Sequence, residues 1–252
     1  MGCDLSGKTC LVTGAASGIG AACARGMAAA GAERLLLVDS DETGLAALKV
    51  DCATDLYPGD VTDERLWDRI EASGTGIDAA ALVAGIAGGG TIAETEFAEW
   101  RRVLGVNLDG MFLSLRAAMR LAQNDAAIIL TASTAGLKAE SGIAAYGASK
   151  AGVIQLAKVA AKEGASRGVR VNVIAPGGVD TPLWDRMPFF QELTSAHGGD
   201  RDAALAAMAG ESTLLGRFAR PADIAAQVLF LMSPASATTT GAVIVSDGGY
   251  SL

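Results

Sequence analysis

Short, continuously apolar runs alternate with longer Ala-rich stretches along the chain. Cys10-Leu11-Val12-Thr13, Leu35-Leu36-Leu37-Val38 and Ile128-Ile129-Leu130 have no polar alternation, the pattern of strands covered on both faces. These and similar runs predict strands near 9–13, 35–39, 79–84, 127–132, 170–174 and 242–246. Helical stretches are expected near 18–30, 42–49, 63–72, 97–122, 145–165 and 221–232, the last opened by Pro221. Residues 51–59 read poorly as a further strand, because Pro58 sits awkwardly in a ladder. The alternation predicts an α/β fold, a doubly wound parallel sheet in a single domain over 1–252. Right-handed crossovers would bring the carboxyl ends of the strands to one edge, where such sheets bind ligands.

A glycine turn and a carboxylate change the picture from fold to ligand. After the first strand comes Gly14-Ala15-Ala16-Ser17-Gly18-Ile19-Gly20, and then an Ala-rich helix. Strand, glycine turn and helix form a Rossmann-like half-unit, in which glycines let the backbone approach a pyrophosphate. The helix start offers it unpaired N–H groups. The next strand ends in Asp39, nineteen residues after Gly20, followed by Ser40 and Asp41. A carboxylate there can accept hydrogen bonds from the adenosine ribose hydroxyls and repels a 2′-phosphate, which favours NAD over NADP.

A second constellation carries acid–base chemistry. Tyr146 and Lys150 are four residues apart, one helical turn, and Ser133 precedes Tyr146 by thirteen. An ammonium beside the phenol is expected to lower its pKa from about 10. A Ser133 hydroxyl at a strand end can donate to a substrate oxygen while Tyr146 exchanges its proton.

Together these residues resemble the short-chain dehydrogenase/reductase family, nearly end to end. Thr13-Gly14 through Gly20 is similar to that family's cofactor loop, with Ser17 where many NADP-using members carry a basic residue. Asp60-Val61 resembles the pair that contacts adenine, and Ala84-Gly85 falls in the family's segment after the fourth strand. Pro176-Gly177-Gly178-Val179-Asp180-Thr181 is similar to the segment beside the nicotinamide. Asp247-Gly248-Gly249 resembles the family's end. The resemblance implies catalytic roles for Asn107, Ser133, Tyr146 and Lys150, with Asn107 supporting a proton relay and Lys150 also binding the nicotinamide ribose. It further implies a homotetramer paired through the helices carrying Asn107 and Tyr146, where Ala151, Ala157, Ala160 and Ala161 would offer small faces. One departure stands out: Leu82-Val83-Ala84-Gly85 replaces the family's Asn-Asn-Ala-Gly, removing polar groups that tie that strand into the sheet.

Composition narrows the partners. The net charge is −8 with no basic stripe, which argues against nucleic acid or an anionic membrane. There is no long apolar stretch and no signal-peptide core. The four cysteines lack metal-ligand or Cys-x-x-Cys spacing, as for free thiols in a reducing, cytoplasmic setting. His197 is the only histidine, so neither a metal site nor a Ser-His-Asp hydrolase is expected. Between 182 and 215 the periodicity loosens and Trp184, Met187, Phe189 and Phe190 cluster. That segment resembles the family's substrate loop, and the cluster is expected to form an apolar lid. Only Lys138, Lys150 and Arg186 are cations near the motifs. A neutral, ring-bearing secondary alcohol or ketone is therefore expected, with a 3-oxoacyl-carrier-protein reductase or a noncatalytic dinucleotide sensor as alternatives.

Overall fold

The computed structural model describes residues 2–252, except the side chain of Arg186. The Arg186 cation considered above therefore lies outside the described residues. Seven parallel strands form one sheet in the order β3-β2-β1-β4-β5-β6-β7. They are β1 (Thr9–Thr13), β2 (Arg34–Asp39), β3 (Ala53–Pro58), β4 (Ile77–Leu82), β5 (Ala122–Thr131), β6 (Arg170–Pro176) and β7 (Val243–Ser246). The helices are α1 (Gly18–Ala29), α2 (Glu42–Ala47), α3 (Glu64–Ala72), α4 (Phe97–Leu104), α5 (Met111–Leu121), α6 (Ala144–Gly164), α7 (Pro188–Ala196), α8 (Arg201–Ser212) and α9 (Pro221–Met232).

Strand periodicity divides the core in two. Leu11, Leu36, Leu82 and Leu130 point to one face, under α3, α5 and α6. Cys10, Val12, Leu35 and Ile129 point to the other, under α1 and α9. Both faces are covered, so the central strands carry no polar alternation. Chain order reverses between β1 and β4, and this switch point opens a crevice at their carboxyl ends.

Three sequence expectations are corrected. Residues 53–58 do form a strand, β3, at the sheet edge. Half-exposed on the rim, it carries Thr54, Asp55 and Pro58 without an apolar signature, and the missing N–H of Pro58 costs nothing at an edge. The helix expected over 97–122 is interrupted by a π-helical segment, Gly105–Gly110. Ala157, Ala160 and Ala161 are buried in the chain's own core, because α6 turns its small face onto the sheet. They form no face for a partner, although Ala151 is exposed.

The departure at Leu82-Val83-Ala84-Gly85 is compensated from β1. The buried Thr13 Oγ1 accepts hydrogen bonds from Val83 N at 2.9 Å and Ala84 N at 3.1 Å. One hydroxyl thus ties both sides of the switch point together. Thr13→Val keeps the shape and leaves two part-buried amides unsatisfied, at a cost of about 2 kcal/mol. Thermal melting of Thr13→Val is expected to fall by roughly 4–8 °C, and Thr13→Ser should recover most of it. An unchanged melting temperature for Thr13→Val would show that the tie carries no weight.

Candidate active site

A cleft of about 460 Å3 opens at the carboxyl edge of the sheet. Its floor holds Ser133, Tyr146 and Lys150, and Ile19, Gly85, Pro176, Gly177, Val179 and Thr181 line the side toward the glycine turn. The sequence-predicted acid–base set therefore shares one cavity with much of the predicted cofactor set. His197 ends α7, its Nδ1 2.9 Å from the Leu193 carbonyl, and does not line the cleft. No cluster of metal-ligating side chains occurs among the described residues.

Each acid–base side chain is placed by an element end. Ser133 follows β5 and caps a short 3₁₀ turn, its Oγ accepting from Ala135 N at 3.2 Å. Tyr146 and Lys150 lie one turn apart near the start of α6, with the Lys150 ammonium 5.6 Å from the Tyr146 ring centre. Lys150 is buried and donates to the Thr131 carbonyl at 3.2 Å. Burial pushes the Tyr146 phenol up, and hydrogen bonding with Ser133 pulls it back. Burial also pushes Lys150 down to about 8. The expected depression of the phenol by the ammonium does not appear: burial sets the direction for both groups, toward their neutral forms.

Asn107 sits in the π segment, fully buried. Its Oδ1 accepts from Ile86 N at 2.8 Å, and its Nδ2 donates to Ile86 O at 2.9 Å and to Ser149 Oγ at 3.3 Å. The side chain thus mimics a ladder pair and fixes the 85–86 backbone. A Cβ on Gly85 would come within 3.2 Å of Asn107 Oδ1 and 3.3 Å of Lys150 Nζ. Gly85 is therefore a point where backbone, amide and ammonium close on one another.

The glycine turn fits a dinucleotide pyrophosphate. Gly14 and Gly18 adopt positive φ of 69° and 51°, and a Cβ on Gly20 would overlap the Gly14 carbonyl oxygen. Ser17 is the N-cap of α1, but its side chain makes no capping bond. Its hydroxyl and the N–H groups of the first turn remain for an anion. Asp39 ends β2 and accepts from Ala16 N and Asp41 N, both at 2.9 Å. Beyond β3, Asp60 caps its own turn through Thr62, while buried Val61 accepts from Trp67 Nε1 at 2.8 Å. Thr181 touches this turn, its methyl 3.3 Å from the position of a Gly18 Cβ.

Residues 182–215 are largely helical: a 3₁₀ turn over Trp184–Arg186, then α7 and α8. Trp184, Met187 and Phe189 line the cleft. Phe190 does not: it is 1% exposed and packs with Ala204 and Leu205 in a satellite core, because α7 needs an apolar face against α8. Sequence reasoning also missed Phe218, which stacks on Trp184 at 5.7 Å with planes 7° apart. Arg201 latches this unit to the preceding segment, bonding Asp180 and Asp185 at 2.7 Å each and the Thr181 carbonyl at 3.1 Å. Glu140 and Tyr250, far apart in the sequence, meet at the same cleft, and no local pattern announced either.

Comparison with known proteins agrees with this architecture. The family model described as enoyl-(acyl carrier protein) reductase matches residues 14–251. A galactitol 2-dehydrogenase (L-tagatose-forming) of Cereibacter sphaeroides is 37% identical, covering 98% of this chain and 96% of that protein. A cis-4-hydroxycyclohexanecarboxylate dehydrogenase of Sinomonas cyclohexanicum is 35% identical, covering 99% of each. The crystal structure of L-sorbose reductase from Gluconobacter frateurii, complexed with NADPH and L-sorbose, superposes with a TM-score of 0.89 at 28% identity, covering 99% of this chain and 98% of that one. Matched over nearly its whole length in sequence, and in the course of its sheet, the chain belongs to the short-chain dehydrogenase/reductase family.

Proposed function

We propose that this protein is an NAD-dependent dehydrogenase or ketone reductase acting on a secondary alcohol/ketone pair. The observation that supports this most is the meeting of Ser133, Tyr146 and Lys150 in a cleft that Gly85, Pro176 and Thr181 also line. Gly14, Ser17, Gly18, Ile19 and Gly20 would hold the pyrophosphate, Asp39 the adenosine ribose, and Asp60 and Val61 the adenine. Ala84, Gly85, Pro176, Gly177, Val179 and Thr181 would border the nicotinamide, with Tyr146 and Lys150 toward its ribose. When bound, NAD supplies the hydride acceptor at nicotinamide C4.

The side chains handle the proton and the oxygen. Ser133 Oγ donates to the substrate oxygen and holds the carbinol against Tyr146. In oxidation the phenolate oxygen takes the hydroxyl proton, and in reduction the phenol returns it. Lys150 favours the phenolate when charged, and Asn107 acts by positioning the 85–86 backbone against it. Asp39 beside Ala16 and Asp41, with Ser17 in the turn, favours NAD over NADP. The same pair disfavours the alternative of an NADPH-using 3-oxoacyl-carrier-protein reductase. Trp184, Met187 and Phe189 form an apolar wall suited to a ring-bearing substrate. Exposed Phe97, Phe112 and Val159 on α4, α5 and α6 support assembly as a homotetramer.

Three outcomes are expected. Tyr146→Phe should lose at least about a hundredfold in kcat while NADH binding, followed by fluorescence titration, persists. Near-normal turnover by a folded variant would overturn the assignment. For the second, kcat/KM should favour NAD over NADP by about tenfold to a thousandfold, and Asp39→Ala should collapse that ratio. Equal values for the two nucleotides in the parent protein contradict the reading. The third concerns pH. Hydrogen bonding with Ser133 lowers the Tyr146 pKa, so its loss raises that pKa and the base form appears later. The alkaline limb of alcohol oxidation, followed between about pH 7 and 11, should move to higher pH in Ser133→Ala. A limb that stays in place would remove Ser133 from the proton path.

A further inference from the structure

One wall of the cleft differs from the aromatic side. Glu140, Ser141 and Tyr250 line it, in the same cavity as Ser133 and Tyr146. Tyr250 is brought there by the terminal turn. Asp247 accepts from Gly249 N and Ser251 N at 2.9 Å each, and Gly248 and Gly249 take positive φ of 64° and 87°. Lys138 then fixes the ring from outside. Its ammonium lies 4.3 Å from the Tyr250 ring centre, donates to the Tyr250 carbonyl at 3.1 Å, and pairs with Glu140 at 3.4 Å. Burial, followed by hydrogen bonding to Glu140, pushes the Tyr250 phenol up to about 12, so it stays a neutral donor at working pH.

This arrangement is built from two widely separated stretches, 138–141 and 247–251, and has a defined polarity. A carboxylate offers acceptor sites only, about four lone pairs, of which Tyr250 and Lys138 take up a part. Lys138 balances its charge, so the site favours a neutral donor over an ammonium. A carboxylate on the substrate would meet the Glu140 charge and find no unpaired cation there among the described residues. The apolar wall of Trp184, Met187 and Phe189 selects for ring surface but says nothing about a second polar group. Glu140 does.

We infer that Glu140, held by Tyr250 and Lys138, is a specificity-determining acceptor for a second hydroxyl on the substrate, remote from the carbon that reacts. The substrate class is then a neutral ring-bearing diol or hydroxyketone. The inference rests on the dehydrogenase reading above.

The test compares three alcohols with NAD: cyclohexanol, cyclohexane-1,4-diol and 4-hydroxycyclohexanecarboxylate. For the parent protein, kcat/KM for the diol should exceed that for cyclohexanol by about tenfold, the scale of one hydrogen bond to a charged group, chiefly through KM. The hydroxy acid should be poorest. Glu140→Leu should bring the diol-to-cyclohexanol ratio down to about its statistical value of two. Glu140→Gln keeps an acceptor and the shape but leaves Lys138 without its counter-charge. The ratio of hydroxy acid to cyclohexanol should then rise about fivefold or more, a change that a purely structural role for Glu140 would not give. A diol preference that survives Glu140→Leu, or a hydroxy-acid ratio unmoved in Glu140→Gln, overturns the inference and leaves the dehydrogenase reading standing. Absence of turnover with all three alcohols and their ketones overturns both.

Discussion

A parallel sheet covered on both faces leaves its polar chemistry one place to go. The central strands here are apolar on both sides save for buried Asn172 of β6, so the remaining buried hydrogen-bonding side chains of the sheet gather at strand ends and in the turns that follow. Thr13, Asp39, Ser133 and Pro176 each stand at or just beyond such an end. The edge is usable because the strand order reverses between β1 and β4, parting the loops on either side. The Thr13 hydroxyl keeps that parting at a fixed width by holding the two flanking backbones together. Without it the glycine turn and the Gly85 segment would be joined only through ladder bonds deeper in the sheet.

The site is held at an energetic cost. Lys150 gives up its proton near pH 8 in the folded chain, against an ordinary value of 10.5. The unfolded chain therefore binds more protons across that window, and the contribution of Lys150 to stability rises as pH climbs from about 8 to 10.5. Below pH 8 the buried ammonium opposes folding, with only the Thr131 carbonyl as its hydrogen-bond acceptor among the described residues. Burying a cation in this way suits a group waiting for a ligand better than one serving the fold. Tyr146, raised by the same desolvation, completes a pair that the folded chain holds toward neutrality.

Much of this was legible in the sequence because it depends on local spacing. The glycine turn, Asp39 and the Tyr146–Lys150 turn are short-range patterns with short-range physical causes. What escaped depends on position in the finished sheet. β3 carries no apolar signature since it lies on the rim. Phe190 and Phe189 are adjacent and equally aromatic, yet only the helix pairing of α7 with α8 decides that one is core and the other lines the cleft. The alanines of α6 looked like a partner-facing stripe, but a stripe carries no label for which neighbour it meets. Tyr250 reaches the cleft across more than a hundred residues from Lys138, a contact with no trace in local periodicity.

The π segment gives the long crossover helix an arithmetic property. Gly105–Gly110 holds i→i+5 bonds within an otherwise α-helical run from Phe97 to Leu121, the equivalent of one inserted residue. Each residue of an α-helix turns the next by about 100°. An extra residue in a regular helix would swing every side chain on one flank by that angle; the wider turn absorbs it, so α4 and α5 keep their faces while Asn107 reaches Ile86. Deleting one position there would restore regular α geometry with both flanks in phase, at the loss of the turn that carries the Asn107 amide to Ile86. The count of residues between α4 and α5 is thus as much a part of the site as the identity of Asn107, and an alignment that closes a gap in this stretch would misplace the site.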